Sequence, residues 1–299
     1  MPQQDLSETE LEAFRKKLRR RARRKDQAAP LARIYRRNEP EELRRPRPKA
    51  ATLREPVSLA DAVPGIETQI AGQGLAFVIE KRLDDRAEEW GMLCRRFHQS
   101  LSSDSSALRE RLAASCPVHA LLPEDVLFID LETTGLSSTP VFLIGIMESD
   151  GGTLVLRQYF ARTYAEEPAI VSATLDRMAC KRLIVSFNGK SFDLPYLRMR
   201  AAAHRMDFPV AAEHFDLLHE CRRIWKNSLP DCKLQTLESC ICRRPRHDDI
   251  PGSEIPDAYH AFVRTGDASQ MVEVLHHNRL DLITLADLMT RLPALTGRP

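Results

Sequence analysis

Val126-Leu127-Phe128-Ile129-Asp130-Leu131-Glu132-Thr133-Thr134-Gly135 is the stretch that decides the fold class. The apolar run Val126–Leu131 reads as a strand. Side chains alternate along a strand, so Asp130 and Glu132, two residues apart, point to one face. Two neighbouring carboxylates repel, and burial raises the cost of ionising both; a divalent cation between them relieves it. Taken alone, Asp-x-Glu is equally what the polar edge of an amphipathic strand looks like. Thr133-Thr134-Gly135 adds small hydroxyls and a turn where a backbone can approach a phosphate.

Working outward from that strand, Phe142–Glu148 and Thr153–Phe160 read as two more, separated by the turn Ser149-Asp150-Gly151-Gly152. Helices fit Ala169–Met178, Ser191–His204, Leu217–Trp225, Leu234–Ile241, Asp257–Val263 and Ser269–Leu292, with a short apolar strand at Leu183–Phe187. A strand meander followed by alternating helices and strands predicts a mixed α/β sheet. Upstream, Ile66–Ile70 and Leu75–Ile79 flank a Gly-containing turn and predict a hairpin. Residues 85–116 carry a helical stripe of Trp90, Leu93, Cys94 and Phe97.

The composition excludes several classes. The chain has 299 residues, 12 of them Gly and 19 Pro without a repeating period, which rules out a collagen-like chain. No stretch approaches a transmembrane length of apolar residues, and MPQQDLSETE lacks the basic start and apolar run of a secretory signal. Seven dispersed cysteines are not a disulfide framework. A soluble, cytoplasmic protein is expected, without a membrane partner.

The net charge of +2 hides an asymmetry: residues 1–50 hold 16 Lys+Arg against 8 Asp+Glu, leaving a balance of −6 for the rest. Ser7 and Glu10 have capping-box spacing, so a basic helix over about Glu8–Lys25 is expected. Such a block is either a phosphate-binding arm or a solvated tail. Six prolines between Pro30 and Pro64 give linker composition. Three regions follow: a basic arm with a Pro-rich linker (1–64), an accessory hairpin and helical region (65–119), and the catalytic candidate (120–299).

Two further carboxylates stand out. Asp193 follows Asn188-Gly189 at the end of an apolar strand and opens a helix, which puts it at the carboxyl edge of the sheet, where ligand sites of open α/β sheets lie. Gly189-Lys190-Ser191 mimics the end of a P-loop, but that motif needs a Gly where Ile184 stands. Asp281 shares a helix face with His277, four residues before it, while His276 points elsewhere on a regular helix. A lone histidine there is more often structural than a proton carrier.

Asp-x-Glu, then Asn-x-x-x-Phe-Asp, then His-x-x-x-Asp, in that order, resembles the three motifs of the DEDD 3′–5′ exonucleases, whose fold is ribonuclease H-like. Leu131-Glu132-Thr133-Thr134-Gly135-Leu136, Phe215-Asp216-Leu217-Leu218-His219, Asp248-Asp249-Ile250-Pro251-Gly252 and His277-Asn278-Arg279-Leu280-Asp281 look like the YprB-type ribonuclease H-like proteins. The resemblance covers roughly residues 120–292 and implies a ribonuclease H-like mixed sheet flanked by helices. It also implies two Mg²⁺ or Mn²⁺ ions held by Asp130, Glu132, Asp193 and Asp281, with His277 as general base on the attacking water. His276 takes that role if the helix bulges. Thr133, Thr134 and Asn188 would position the terminal nucleotide, and Phe192 and Tyr196 would stack on a base or simply pack. The implied substrate is DNA or RNA with a single-stranded 3′ end; the alternative is a nucleic-acid-binding protein of the same fold with weak catalysis.

The −6 body would repel such a substrate, so a basic strip is expected from Arg198, Arg200, His204, Arg205, Arg222, Arg223 and Lys226. A rival reading places zinc on Cys221, Cys232, Cys240 and Cys242, but their spacings lack Cys-x-x-Cys pairs, and buried thiols are the simpler account.

Overall fold

The central strand β3 (Val126–Thr133) and its neighbour β4 (Val141–Asp150) are apolar along most of their length, and β4 is buried from Val141 to Ser149. A strand covered on both faces needs this near-continuous apolar run instead of strict alternation. In the computed structural model, residues 56–83, 88–102, 107–116, 120–135, 139–209, 212–246 and 249–294 are described. The basic arm, its expected helix and most of the Pro-rich segment lie outside the described residues.

A seven-stranded sheet runs β1-β2-β5-β4-β3-β6-β7. Its members are β1 (Ile66–Ile70), β2 (Gly74–Leu83), β3, β4, β5 (Thr153–Phe160), β6 (Leu183–Ser186) and β7 (Glu213–Asp216). The pairs from β1 through β3 are antiparallel, whereas β3–β6 and β6–β7 are parallel, so the sheet is mixed. The hairpin β1–β2 continues this sheet through β2–β5 pairing, and Glu55–Lys226 with Asp231–Pro299 forms one compact unit. The register of β3 against β4 shifts at Glu132/Thr133 after Asp130 has paired with Gly145.

The helices are α1 (Leu59–Ala62), α2 (Glu88–Ser102), α3 (Ala107–Ser115), α4 (Glu167–Ala179), α5 (Asp193–Ala203), α6 (Leu217–Trp225), α7 (Leu234–Leu237), α8 (Ile255–Thr265) and α9 (Ser269–Thr290). The stripe foreseen on α2 is buried at Leu93, Cys94 and Phe97, and Phe97 meets Phe128 of β3 at 5.5 Å between ring centroids. Helix α4 packs on β4 and on α5, and α9 packs on β3, β4 and β5. Tyr259 of α8 stacks on Phe142 of β4 at 4.0 Å, and its hydroxyl donates to the Ala161 carbonyl at 2.9 Å. No described helix is long and apolar enough to cross a membrane.

The 85–116 stretch is helical in α2 and α3. Two local readings differ. The helix expected to Ile241 becomes a π-helical turn at Glu238–Cys242, closed by Arg243 in the left-handed region at φ 57°. Strand β7 has no counterpart in the sequence reading: four residues, two of them Glu213 and His214, show no apolar run.

Candidate active site

Helix α9 lies across β3 and brings Asn278, buried with no exposed surface, against Asp130. Asn278 Nδ2 donates to Asp130 Oδ2 at 2.8 Å, and Gln158 Nε2 donates to Asn278 Oδ1 at 2.9 Å. The amide is thereby satisfied on both sides, as a buried polar group requires. One turn on, Asp281 joins Asp130 and Glu132 from β3.

Asp193 arrives from the other side of β3. The chain leaves β6 at Ser186 and turns at Asn188, whose φ of 66° is left-handed, a conformation asparagine tolerates. Buried Asp216, at the end of β7, accepts the Asn188 and Lys190 backbone N–H groups at 2.8 and 3.0 Å, and caps α6 through Leu218 N–H at 3.0 Å. This clamp fixes the loop that launches α5, so Asp193 reaches the Leu131 N–H at 3.3 Å.

Burial, followed by the repulsion of Asp281, Glu132 and Asp193, pushes the Asp130 carboxyl well above its usual range. Burial and the charges of Asp281, Asp193 and Asp249 do the same to Glu132. Burial takes Asp193 up to about 7 against the hydrogen bonds that favour its ionised form. Asp281 is also raised by burial, opposed by Arg246 and His277. Geometry puts the four in one neighbourhood: Asp130 and Glu132 stand on β3, Asp193 binds the Leu131 N–H between them, and Asp281 lies three residues after Asn278, whose amide holds Asp130.

They are not drawn into a coordination shell. Among the described residues no group of three or more His, Cys, Asp or Glu side chains stands at metal-holding distance. Each carboxylate of three has found a local partner instead: Asp130 has Asn278, Asp193 the Leu131 N–H, and Asp281 the buried guanidinium of Arg246. The oxygen-only donors nonetheless fit a hard divalent cation, because the single guanidinium of Arg246 cannot offset four crowded carboxylates, of which Asp193 is buried and the other three half-buried.

His277 is buried and faces this cluster, while His276 on the same regular helix is exposed beside Arg279. His277 Nδ1 lies 2.9 Å from both oxygens of Asp249, and Nε2 lies 3.6 Å from Asp281 Oδ2. The proton on Nδ1 points at Asp249, while Nε2 is turned toward Asp281. Burial pushes the Asp249 carboxyl up, but hydrogen bonds and charge from His277 and Arg246 bring it below the usual range. Arg246 also reaches Glu238, which Arg244 Nε holds at 2.8 Å.

The remaining sequence-predicted residues serve the turn after β3. Thr133 Oγ1 donates to Gly135 O at 2.8 Å and Thr134 Oγ1 to Pro140 O at 3.0 Å. Tyr196 is 6% exposed and its hydroxyl donates to Thr139 O at 2.7 Å, so the ring packs as a core residue. Half-buried Phe192 lies 5.2 Å from it. The expected basic strip is partly consumed within the fold: Arg200 and His204 bind Glu167 at 2.6 and 2.9 Å, and Arg223 binds Glu220 at 2.8 Å. No disulfide joins any of the seven cysteines. Asn278, Asp249, Arg246 and Asp216 had not been singled out individually; three of them fall inside the stretches that carried the family resemblance.

A family profile described as RNase_H superfamily matches residues 127–293, more than half of the chain. The uncharacterized protein YprB of Bacillus subtilis (strain 168) is 32% identical over 169 residues, covering 55% of this chain and 41% of that protein. The chain thus spans about two fifths of that relative's length. Among solved structures, the family B DNA polymerase of the hyperthermophilic archaeon Pyrobaculum calidifontis is similar at a TM-score of 0.45 and 18% identity, over 55% of this chain and 24% of that one. With a mixed sheet flanked by helices, the profile match across β3 to α9, and the likeness to YprB in that same region, the chain is a YprB-type ribonuclease H-like protein and belongs to the RNase_H superfamily.

Proposed function

We propose that this protein is a metal-dependent 3′–5′ exonuclease that hydrolyses nucleic-acid phosphodiesters to nucleoside monophosphates. Superfamily membership supports nuclease-type hydrolysis in general. The observation that carries the finer reading is the single neighbourhood of Asp130, Glu132, Asp193 and Asp281 beside His277, whose Nδ1 is held by Asp249 and whose Nε2 faces Asp281.

Asp130, Glu132, Asp193 and Asp281 would hold the divalent cations, Mg²⁺ or Mn²⁺, and Asp281 would exchange its Arg246 contact to do so. When bound, these ions supply Lewis acidity and neutralise charge on the phosphate. His277 Nε2 accepts the proton of the attacking water, and Asp249 stabilises the resulting imidazolium through Nδ1–H, the role an orienting carboxylate plays beside a catalytic histidine. Asn278 fixes the orientation of the Asp130 carboxylate. The loop Asn188–Lys190, clamped by Asp216, would position the terminal nucleotide.

The test is digestion of end-labelled single- and double-stranded DNA and RNA with Mn²⁺ or Mg²⁺, read at nucleotide resolution. Stepwise shortening from the 3′ end is expected, with Asp130→Asn lowering the rate at least about a hundredfold while leaving the fold intact. Internal cuts, or equal activity in Asp130→Asn, would sink the reading. A second reading, a nucleic-acid-binding protein with weak catalysis, is favoured by the Arg246–Asp281 contact; oligonucleotide binding without digestion in the same assay would select it.

A further inference from the structure

Gln158 is a polar residue of β5, yet it is only 2% exposed. The sheet register sets it in one row with the carboxylate cluster: Asp130 of β3 pairs with Gly145 of β4, and Gly145 with Gln158 of β5. Residues directly opposite one another share a face, so Asp130 and Gln158 flank the glycine on the side that α9 covers. Neighbouring strands lie about 4.8 Å apart, so β3 and β5 are about 10 Å apart, too far for the two side chains to meet directly. Gly145 has no side chain, and the Asn278 amide occupies the space above it.

The hydrogen bonds across this row run in one direction. Gln158 Nε2 donates to the Leu275 carbonyl of α9 at 2.8 Å and to Asn278 Oδ1 at 2.9 Å. A carbonyl can only accept, so Leu275 decides which end of the Gln158 amide faces α9. With both Nε2 protons placed, Asn278 must present its oxygen to Gln158 and its Nδ2 to the far side. There Nδ2 donates to Asp130 Oδ2 at 2.8 Å and to the Asp130 carbonyl at 3.3 Å. A plain pin between β5 and α9 would need the Leu275 bond alone; the second bond carries the choice of donor over acceptor on to Asp130.

We propose that Gln158 is a positioning residue of the hydrolytic centre: acting through Asn278, it keeps N–H groups turned toward Asp130 and so holds that carboxylate in one orientation for a divalent cation. This rests on the reading of Asp130 as a metal ligand. Without Gln158 the Asn278 amide is free to turn over, and its oxygen would then face Asp130 Oδ2, acceptor against acceptor.

The test is Mn²⁺ binding, followed by loss of the free-ion EPR signal, in the wild-type chain, Gln158→Met, Asn278→Ala and the double variant, each checked for folding by urea denaturation. Gln158→Met keeps the length of the side chain and removes both donors. It should weaken Mn²⁺ binding about tenfold, the lower end for residues that support a metal ligand from behind. Asn278→Ala should weaken it at least as much, and adding Gln158→Met to Asn278→Ala should change nothing further, because the one acts through the other. Leu156→Ala, on the same strand with no exposed surface, lowers stability by leaving a cavity and should not alter Mn²⁺ binding. Equal Mn²⁺ Kd in Gln158→Met and wild type would overturn the proposal. So would a further loss of the same size on top of Asn278→Ala, or an equal loss in Leu156→Ala. Should Gln158→Met not fold, Gln158→Leu is judged by the same comparisons. A wild-type chain that binds no Mn²⁺ would sink the metal-dependent reading itself, and the role of Gln158 with it.

Discussion

Asp193 makes stability a function of pH in a defined direction. Its carboxyl is raised to about 7 in the folded chain, so the folded state binds its proton more tightly than the unfolded state does. Stability from this group is therefore present at low pH and lost as pH rises toward and through about 7. Asp130 and Glu132 are raised by burial and by the neighbouring carboxylates and add to the trend. The melting temperature of metal-free protein should fall between pH 5 and 8, and millimolar Mn²⁺ at pH 8 should restore it and flatten the dependence; a pH-independent melting curve in EDTA would count against the crowding. At this scale the sequence was informative where residue type and spacing carry chemistry. Asp130, Glu132, Asp193, His277 and Asp281 can be named as candidates from motif order, and their roles stand as proposed above. Asp249 and Arg246 could not be given roles, because they sit in an aperiodic loop whose contacts with His277 and Asp281 are set only when that loop folds onto α9. Asp249 did stand in a quoted motif, so a signal existed without a mechanism attached.

At the scale of elements, β4 and α9 meet at one close approach. Gly145 faces Asn278 so tightly that an added Cβ would overlap the amide oxygen. Gly145→Ala should displace Asn278, destabilise the protein by about 1–3 kcal/mol in urea unfolding, and lower hydrolysis more than an equally destabilising change elsewhere. Unchanged stability and rate would show that the helix shifts freely. The long apolar runs of β3, β4 and β5 were readable because a strand buried on both faces has little choice of residue. Strand β7 was not, since its Glu213 and His214 obey no strand pattern; parallel pairing with β6 alone makes it a strand. The Glu238–Cys242 turn escaped for a different reason. Local preference there favours an α-helix, and Glu238 is instead pulled toward Arg244 and Arg246, a tertiary contact that no window of sequence records.

Across the whole molecule, stability rests on aromatic packing between the sheet and its helices. Tyr259 has no exposed surface and stacks on Phe142 with an interplanar angle of 12°. Tyr259→Ala should cost about 3–5 kcal/mol, seen as an earlier denaturation midpoint, without altering the metal dependence of hydrolysis. A cost under 1 kcal/mol would mean that α8 is peripheral to the core. The mixed sheet was legible as a class from its strand meander, yet its order was not, because which strands become neighbours depends on crossovers that leave no local trace.

The single amide of Asn278 ties this architecture to the chemistry. It touches β3 through Asp130, β4 through Gly145 and β5 through Gln158 at once. Sliding β4 by one position would put Ile144 or Ile146 where only a hydrogen fits, and would turn every inward residue of that strand outward. On the proposed reading a misaligned chain cannot assemble the carboxylate centre, so hydrolytic competence would report on correct strand alignment: any molecule able to cut would already have folded in register.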